Sequence, residues 1–226
     1  MLVYQIRPLR WLWRIALASI AGFLLFQLLR QYQRQRQPEP MPARFAPMLG
    51  NPLRWRLFGT PERILDRAGV IPGMRVLEVG PGPGFFTIPL ARRVAALGKG
   101  GNVTAVEIQP EMVTLLREHL HAAEVDNVEV IEADGRQMPL PDNTFDLVFL
   151  VNVLGETPDT PALFRECARV LKPGGALAVT ESVLRPDYHA PDTVRAFATG
   201  AGLTAAGQIG RPWWIYTARY RKPAIF

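Results

Sequence analysis

The chain of 226 residues has one cysteine and three histidines. A single cysteine, Cys167, excludes an intrachain disulfide framework and a cysteine zinc cluster. His119, His121 and His189 lack metal-ligand spacing, so no metal site is predicted. Because Cys167 lies in a helical pattern, it is interpreted as a small core residue rather than a nucleophile.

Most of the chain also has no net charge, although the formal net charge of the whole chain is +6. Residues 1–44 contain seven arginines and one glutamate, whereas residues 45–226 contain 19 basic and 19 acidic side chains. The larger part therefore lacks the positive excess with which proteins bind a nucleic-acid backbone. The sequence argues against a nucleic-acid partner.

One long apolar run, from Trp11 to Leu29, has Arg14 as its only charge. As a helix it would span roughly 28 Å, close to the roughly 30 Å hydrocarbon core of a bilayer. With its basic flanks it predicts an uncleaved membrane-anchor helix over residues 1–30. A cleaved signal peptide is the alternative, but no small-residue cleavage site follows the run. Arginines flank both ends, so the positive-inside rule leaves the orientation open.

Residues 31–48 are rich in Gln, Arg and Pro and predict a polar linker. Residues 49–226 form the predicted folded domain, in which strand-like runs alternate with helical patterns. Such alternation indicates a parallel sheet covered by helices on both faces. The predicted strands are Arg75–Val79, Asn102–Glu107, Val128–Glu132, Phe145–Val151, Ala176–Thr180 and an edge strand, Trp213–Tyr220. The predicted helices are Phe85–Ala96, Pro110–Ala123, Pro161–Leu171 and Ala190–Ala201.

The stretch from Val76 to Phe86 joins an apolar strand to a helix through glycines at alternate positions, Gly80, Gly82 and Gly84. Such a turn at the carboxyl end of a first strand is where open α/β sheets bind nucleotides. Glu78, two residues before the first glycine, would repel a pyrophosphate but suits a cationic ligand with an amino group.

Carboxylates also end two further predicted strands. Glu107 ends the second strand and Asp134 follows the third. Parallel strand ends converge on one crevice, where the first acid could bind a ribose diol and the second an adenine amino group. Each acid alone could instead be a solvated loop residue.

These motifs, in this order, resemble those of class I S-adenosylmethionine-dependent methyltransferases, in the branch that includes the ubiquinone/menaquinone methyltransferases. The resemblance covers roughly residues 61–220. It rests on Glu78-x-Gly80-x-Gly82-x-Gly84, Glu107, Ala133-Asp134, the stretch Leu140-Pro141-Asp142-Asn143-Thr144-Phe145-Asp146, and Leu171-Lys172-Pro173-Gly174-Gly175. It implies a Rossmann-like, doubly wound, mostly parallel sheet of seven strands with a reversed last strand.

The resemblance also implies S-adenosylmethionine as cofactor and assigns residues to it. Glu78 and the glycine turn would hold the methionine part, and Glu107 the ribose hydroxyls. Ile108 and Asp134 would bracket the adenine, and Asn152 would line the path to the acceptor. The predicted cofactor-binding set is Glu78, Gly80, Pro81, Gly82, Gly84, Glu107, Ile108, Asp134, Gly135 and Asn152.

Two residues are candidates for catalysis. Many relatives have two histidines after the fourth strand, and Glu156 occupies the place of the second. It could be a general base, a counter-ion for a cationic acceptor or a solvated loop acid. His189 follows the fifth strand and could be a base or an exposed loop histidine; Tyr188 beside it is a further candidate base.

The resemblance implies methyl transfer to a small apolar or amphiphilic acceptor, quinone-, lipid- or thiol-like, by a domain facing the cytoplasm. The apolar residues 45–64 are predicted to form the acceptor wall or to pad the core beneath the first helix. A non-catalytic, membrane-tethered cofactor-binding module is the main alternative. An NAD(P)-dependent oxidoreductase is a weaker one, because Phe85 stands where its fingerprint needs glycine or alanine.

Overall fold

The computed structural model of the protein describes residues 59–183, 185 and 187–224, with positions 11, 13–19, 21–23, 25–26, 38, 41–42 and 44. From residue 59 onward, strands and helices alternate along the chain. The strands are β1 Arg75–Val79, β2 Asn102–Glu107, β3 Val128–Glu132, β4 Phe145–Val151, β5 Leu171–Ser182, β6 Thr204–Arg211 and β7 Ile215–Arg221. The α-helices are α1 Pro61–Ala68, α2 Thr87–Ala95, α3 Pro110–Ala122, α4 Thr160–Val170 and α5 Pro191–Gly200.

All seven strands form one sheet in the order β3-β2-β1-β4-β5-β7-β6. The pairs among β1 to β5 are parallel, while β7 runs antiparallel to both β5 and β6. The order reverses between β1 and β4, which is where a doubly wound sheet opens a crevice beyond its strand ends. The predicted Rossmann-like sheet with a reversed last strand is confirmed.

Both faces of the central strands β1, β2, β4 and β5 are buried, which explains their continuous apolar runs. In β4, Leu147 and Phe149 pack on the face covered by α1 and α2. Val148 and Leu150 pack on the opposite face, with Phe164 of α4. The core therefore lies in two layers that hold the strand ends in place.

Capping residues and a turn set the ends of three of the helices. Asp159 caps the N-terminus of helix α4, because its carboxylate accepts a hydrogen bond from the N–H of Ala162 at 3.0 Å. Gly69 follows the last residue of helix α1 and has the left-handed backbone (φ 79°) common after helix C-termini. Helix α2 begins at Thr87 rather than Phe85, because residues 82–86 form the turn.

The C-terminal part departs from the sequence prediction in three ways. Strand β5 begins at Leu171, five residues earlier than predicted, with a register shift against β4 between Phe145 and Leu147. Strand β6, which was not predicted, forms the edge instead of β7. All eight residues of β6 are exposed, and its small residues and glycines lack apolar alternation, so it has no sequence signal for a strand.

Few residues before residue 59 are described. Those between 11 and 26 are helical and exposed, among them Trp11, Trp13 and Phe23. Within the described ranges, no helix is both long and apolar enough to cross a bilayer. The predicted aromatic wall from Phe45 to Phe58 lies outside the described residues.

Candidate active site

A cavity of about 440 Å³ lies at the carboxyl ends of the parallel strands. Most of the predicted site residues line it: Glu78, Gly80, Pro81, Gly82, Glu107, Ile108, Asp134, Gly135, Asn152 and Glu156. Gly84 and His189 are not among the lining residues. The convergence of acids from three strand ends, predicted from the sequence, therefore occurs in the structure.

The glycines of the turn do different things. Gly82 has a left-handed backbone (φ 55°), and a Cβ there would meet no atom within 4 Å, so the space beside it is open to a ligand. At Gly84, a Cβ would lie 2.6 Å from Cδ1 of Leu116 in α3. Its missing side chain therefore allows close packing of the turn against α3, and the predicted contact of Gly84 with the cofactor stays a prediction.

Glu107 is held by backbone donors. Its Oε2 accepts from the N–H of Gly82 at 3.0 Å, and its Oε1 accepts from Ile108 at 2.9 Å and Gln109 at 3.1 Å. Burial raises the pKa of the carboxyl, while these N–H groups lower it. A carboxylate has about four acceptor positions, so one remains for a ribose hydroxyl. The residue fits its predicted role.

Glu78 is buried and incompletely paired. Within the described part of the chain, its Oε2 has no hydrogen-bond partner. Burial raises the pKa of this carboxyl to about 7. A buried acceptor without a partner costs free energy unless a ligand supplies one. The amino group of S-adenosylmethionine is such a donor, so this atom supports the fit of the cofactor.

Asp134 has a partner that the sequence analysis missed. Arg136 donates to it from Nε, 3.0 Å from each oxygen, and from Nη2 at 2.6 Å. These bonds lower the pKa of the Asp134 carboxyl. The Asp134 carboxylate lines the cavity, where an adenine could reach it. It is an anion that already binds the guanidinium of Arg136.

Asn152 joins two strand ends at the wall. It has a left-handed backbone (φ 55°), and its Oδ1 accepts from the N–H of Ser182 at 3.0 Å. Its own N–H donates to Thr180 O at 2.8 Å. The side chain therefore ties the ends of β4 and β5 together beside the cavity.

Glu156 reaches the cavity, but its carboxylate is engaged on both oxygens. Oε1 accepts from Nη2 of Arg185, and Oε2 accepts from the N–H of Met41 at 3.1 Å. Arg185 also donates to Asp187 from Nε at 2.9 Å and from Nη2 at 2.7 Å. Of the three roles suggested for Glu156, that of a solvated loop acid does not fit, because its carboxylate forms an ion pair with Arg185.

His189 differs from both of its predicted interpretations. It is half-buried rather than exposed, and burial lowers its pKa. Its ring lies 6.0 Å from that of Phe197 (between centroids), away from the cavity wall. Tyr188 donates its hydroxyl proton to Pro212 O at 2.7 Å. Neither Tyr188 nor His189 is among the residues that line the cavity.

The sequence analysis overlooked Arg185, Gln109 and Met41, which also line the cavity. Arg185 and Gln109 had a usable signal, because each follows the end of a parallel strand, β5 and β2 respectively. Met41 is held from both sides, since Gln109 Nε2 donates to its carbonyl oxygen at 3.2 Å and Glu156 accepts from its N–H. This contact joins the linker to the rim of the cavity.

Comparison with known proteins agrees with this geometry. Residues 77–179 match a family model described as a methyltransferase domain. The ubiquinone/menaquinone biosynthesis C-methyltransferase UbiE of Shewanella woodyi is 37% identical over 128 residues, 56% of this chain and 48% of that protein. The demethylmenaquinone methyltransferase of Staphylococcus aureus is 34% identical over 121 residues, 54% of this chain and 48% of that protein. The chain spans about half the length of these curated relatives.

The solved structures show the same architecture. A SAM-dependent methyltransferase from Aquifex aeolicus superposes with a TM-score of 0.73 at 28% identity, over 80% of this chain and 99% of that one. The seven-stranded order, the acids at the strand ends and the unpaired oxygen of Glu78 fit the same cofactor. Residues 77–179 therefore belong to a methyltransferase domain, and its cofactor is S-adenosylmethionine.

Proposed function

We propose that this protein transfers a methyl group from S-adenosylmethionine to a small apolar or amphiphilic acceptor, quinone-, lipid- or thiol-like, at a membrane. The observation that carries the proposal is the composition of the cavity beyond the cofactor residues. The cofactor acids lie at the ends of β1 and β2 and just after β3, whereas the other part lies at the ends of β4, β5 and β7 and beside α1. This acceptor half is lined by Ile64, Val151, Val153, Glu156, Thr157, Pro158, Ser182, Arg185 and Ile215.

Five of these nine side chains are apolar, so the acceptor half favours a ligand with apolar surface beside its polar groups. The relatives point in the same direction, because the two described above are named as ubiquinone/menaquinone and demethylmenaquinone methyltransferases. Their acceptors support, by analogy, a quinone-like acceptor here.

When bound, S-adenosylmethionine would supply an electrophilic methyl group to the acceptor, leaving S-adenosylhomocysteine, and the proton that the acceptor loses would pass to water. What the chain contributes is position. Glu78, Gly82 and Glu107 hold one reactant, and the acceptor half orients the other. Placing two reactants in line can supply roughly 7–11 kcal/mol of the barrier.

The N-terminal segment would hold the protein at the membrane. The run from Trp11 to Leu29 carries one charge, and its described large apolar side chains, such as Trp13 and Leu25, are exposed. Exposed apolar side chains of this kind are stable against lipid. Because the cofactor is made in the cytosol, the catalytic domain would face that side.

A non-catalytic cofactor-binding module is the second candidate. It is favoured by one observation: Glu156 is paired with Arg185 and His189 lies away from the cavity wall, so neither predicted base is free to act there. Methyl transfer to an acceptor that needs no protein base would favour the enzyme, and its absence would favour the non-catalytic module.

The test offers the full chain three acceptor classes in parallel, with methyl-labelled cofactor. These are a naphthohydroquinone, an alkyl thiol and a phospholipid, each in detergent micelles. Label in one product, identified by mass spectrometry, supports methyl transfer and names the acceptor atom. Cofactor binding with no labelled product from any class would favour the non-catalytic module.

A further inference from the structure

The hairpin formed by β6 and β7 exposes apolar side chains beside a cation. Trp213 in its turn is 65% exposed, Ile209 in β6 is 50% exposed, and Val183 just after β5 is 38% exposed. Val183 lies at the base of the turn, because its N–H donates to Trp214 O at 3.0 Å. Cζ of Arg211 lies over the Trp213 ring, 5.1 Å from its centroid. The side chains of Val183, Ile209, Arg211 and Trp213 are called the hairpin surface below.

The hairpin belongs to a segment whose charges have one sign. Residues 193–226 contain five basic and no acidic side chains, although the larger part of the chain is neutral overall. Side chains two positions apart along a strand share a face, so Ile209 and Arg211 lie on the same face of β6. Arg219 of β7 is on that face too, because it lies opposite Gly207, two positions before Ile209. One face of the hairpin therefore combines two arginines with an apolar side chain.

The turn of the hairpin lies at the same end of the sheet as the cavity. Strand β7 runs antiparallel to β5, and Ile215 at its start lies opposite Ser182 at the end of β5. Both of these residues line the cavity. Because the turn immediately precedes Ile215, the hairpin surface lies beside the acceptor half and not at the far end of the sheet.

The N-terminal segment reaches the domain at this end as well. Met41 lies on the cavity rim, where its backbone is bonded to Gln109 and Glu156. Leu29, the last residue of the long apolar run, is 12 positions before Met41, a length of chain that spans at most about 40 Å. A bilayer that held the apolar run would therefore lie close to the cavity end of the domain.

An anionic bilayer surface matches the hairpin surface best. A tryptophan ring suits the headgroup region, because it is apolar and carries one polar N–H. Guanidinium groups bind phosphate oxygens through two hydrogen bonds at once, and anionic lipids attract them. A nucleic acid would bind the arginines but leave Ile209 and Val183 in water. A second copy paired symmetrically along β6 would bring two cationic hairpins together, which repulsion between like charges disfavours.

We infer that the hairpin surface docks on anionic lipid headgroups and turns the mouth of the cavity toward the bilayer. The inference rests on the membrane location in the proposed function and adds a second contact, made by the folded domain itself. A few side chains bind a bilayer only weakly. The N-terminal segment would supply the local concentration that makes this weak contact effective, and the hairpin would set the orientation of the domain.

The experiment compares two neighbouring positions on opposite faces of β6. Ile209→Cys and Gln208→Cys are each made in the full chain and labelled with a nitrobenzoxadiazole fluorophore. The native Cys167 is buried, and the wild-type protein serves as the labelling control. Both labelled proteins are incorporated into vesicles of phosphatidylcholine and phosphatidylglycerol, and dithionite reduces every fluorophore that water reaches. The measured quantity is the ratio of the two reduction rates, so the side of the vesicle on which the domain lies cancels.

The label at position 209 should be reduced about tenfold more slowly than the label at 208, since two arginines near an anionic surface each favour docking by roughly fivefold. In phosphatidylcholine alone the two rates should approach each other. Arg211→Gln, added to the Ile209→Cys chain, should speed reduction by about fivefold. Trp213→Ser is a second variant at an exposed position and should act in the same direction. Arg165→Gln is the matched control, because this arginine is exposed on α4, on the opposite face of the sheet.

Three results would overturn the inference. Equal rates at 208 and 209 in anionic vesicles would show that this face does not contact lipid. Protection at 209 in detergent micelles that grows with protein concentration would indicate a second copy on β6. Protection that requires added RNA would indicate a nucleic-acid partner.

The same vesicles separate this inference from the proposed function. If position 209 is protected but no acceptor is methylated, the lipid contact stands and methyl transfer fails. If an acceptor is methylated while the two labels react equally, methyl transfer stands and the lipid contact of the hairpin fails.

Discussion

The carboxylate of Glu107 accepts a hydrogen bond from the backbone N–H of Gly82 at 3.0 Å, and so joins the end of β2 to the turn that follows β1. One side chain therefore holds the glycine turn, and its predicted role is to bind the ribose of the cofactor. Sequence analysis assigned these two residues to the same ligand. The direct bond between them is a finding of the structure.

Replacing Glu107 should weaken cofactor binding. Glu107→Ala removes a charged acceptor and releases the Gly82 N–H, at a cost of about 1.5–3 kcal/mol in binding free energy. Calorimetry with S-adenosylhomocysteine measures the change. Glu118→Ala, on the exposed face of α3, is the matched control and should bind normally. Unchanged affinity in a folded Glu107→Ala protein would contradict the ribose assignment.

The stability of the cofactor-free protein should depend on Glu78. Burial raises the pKa of this carboxyl from 4.5 to about 7, so the folded state holds the proton more tightly than the unfolded chain does. Its contribution to stability is full below about pH 4.5 and is lost as the pH rises through about 7. Glu78→Gln should remove this part of the pH dependence of the free energy of unfolding.

Chemical denaturation at pH values from 4 to 8, in steps of about one unit, measures the free energy of unfolding of both proteins. Glu181 titrates in the same direction with a pKa of about 8, and it remains in both proteins, so only the difference between them reports on Glu78. Parallel pH profiles for wild type and Glu78→Gln would show that the carboxyl is not a buried, proton-holding group.

Gln109 should control how firmly the linker sits on the cavity rim. Gln109→Ala removes the donor to the Met41 carbonyl oxygen, so the Met41 amide should exchange its hydrogen faster. Gln208→Ala, on the exposed edge strand β6, is the control. Hydrogen exchange followed by mass spectrometry measures both. Equal exchange at Met41 in the two variants would show that this contact does not hold the linker.

The N-terminal segment should matter for location and not for folding. A protein that lacks residues 1–36 should fold and bind cofactor, because the site residues all lie beyond it. It should no longer sediment with phospholipid vesicles, and it should methylate a lipid-soluble acceptor more slowly than the full chain does. The reason is local concentration at the membrane, with an unchanged chemical step.

Two outcomes would reject parts of this account. Equal rates for the two proteins on a lipid-soluble acceptor would remove the role of the membrane. Protection of residues 45–226 from protease in inverted cytoplasmic vesicles would reverse the proposed orientation.

Local patterns in the sequence were enough to predict the first half of the fold. Strands β1, β2 and β4 are largely buried on both faces, and β3 mixes apolar and acidic residues; each ends in or beside a polar site residue. Because parallel strand ends converge, Glu78, Glu107 and Asp134 could be placed in one crevice without coordinates.

Other features depend on contacts that no local pattern contains. The pair of Arg185 and Glu156 joins residues 29 positions apart, and the contact of Gln109 with Met41 spans 68 positions. Strand β6 is fully exposed, so neither alternation nor an apolar run indicates it. Its neighbour β7 contains the buried side chains, and β6 joins the sheet by pairing antiparallel with β7.

The most direct test of the central claim is transfer of label from methyl-labelled S-adenosylmethionine into an organic extract of vesicles that hold the full chain and a naphthohydroquinone. The account predicts a labelled, organic-soluble product from the wild type and from Glu118→Ala, and much less from Glu107→Ala at limiting cofactor. A wild-type protein that binds the cofactor but labels neither the hydroquinone nor any vesicle lipid would contradict it.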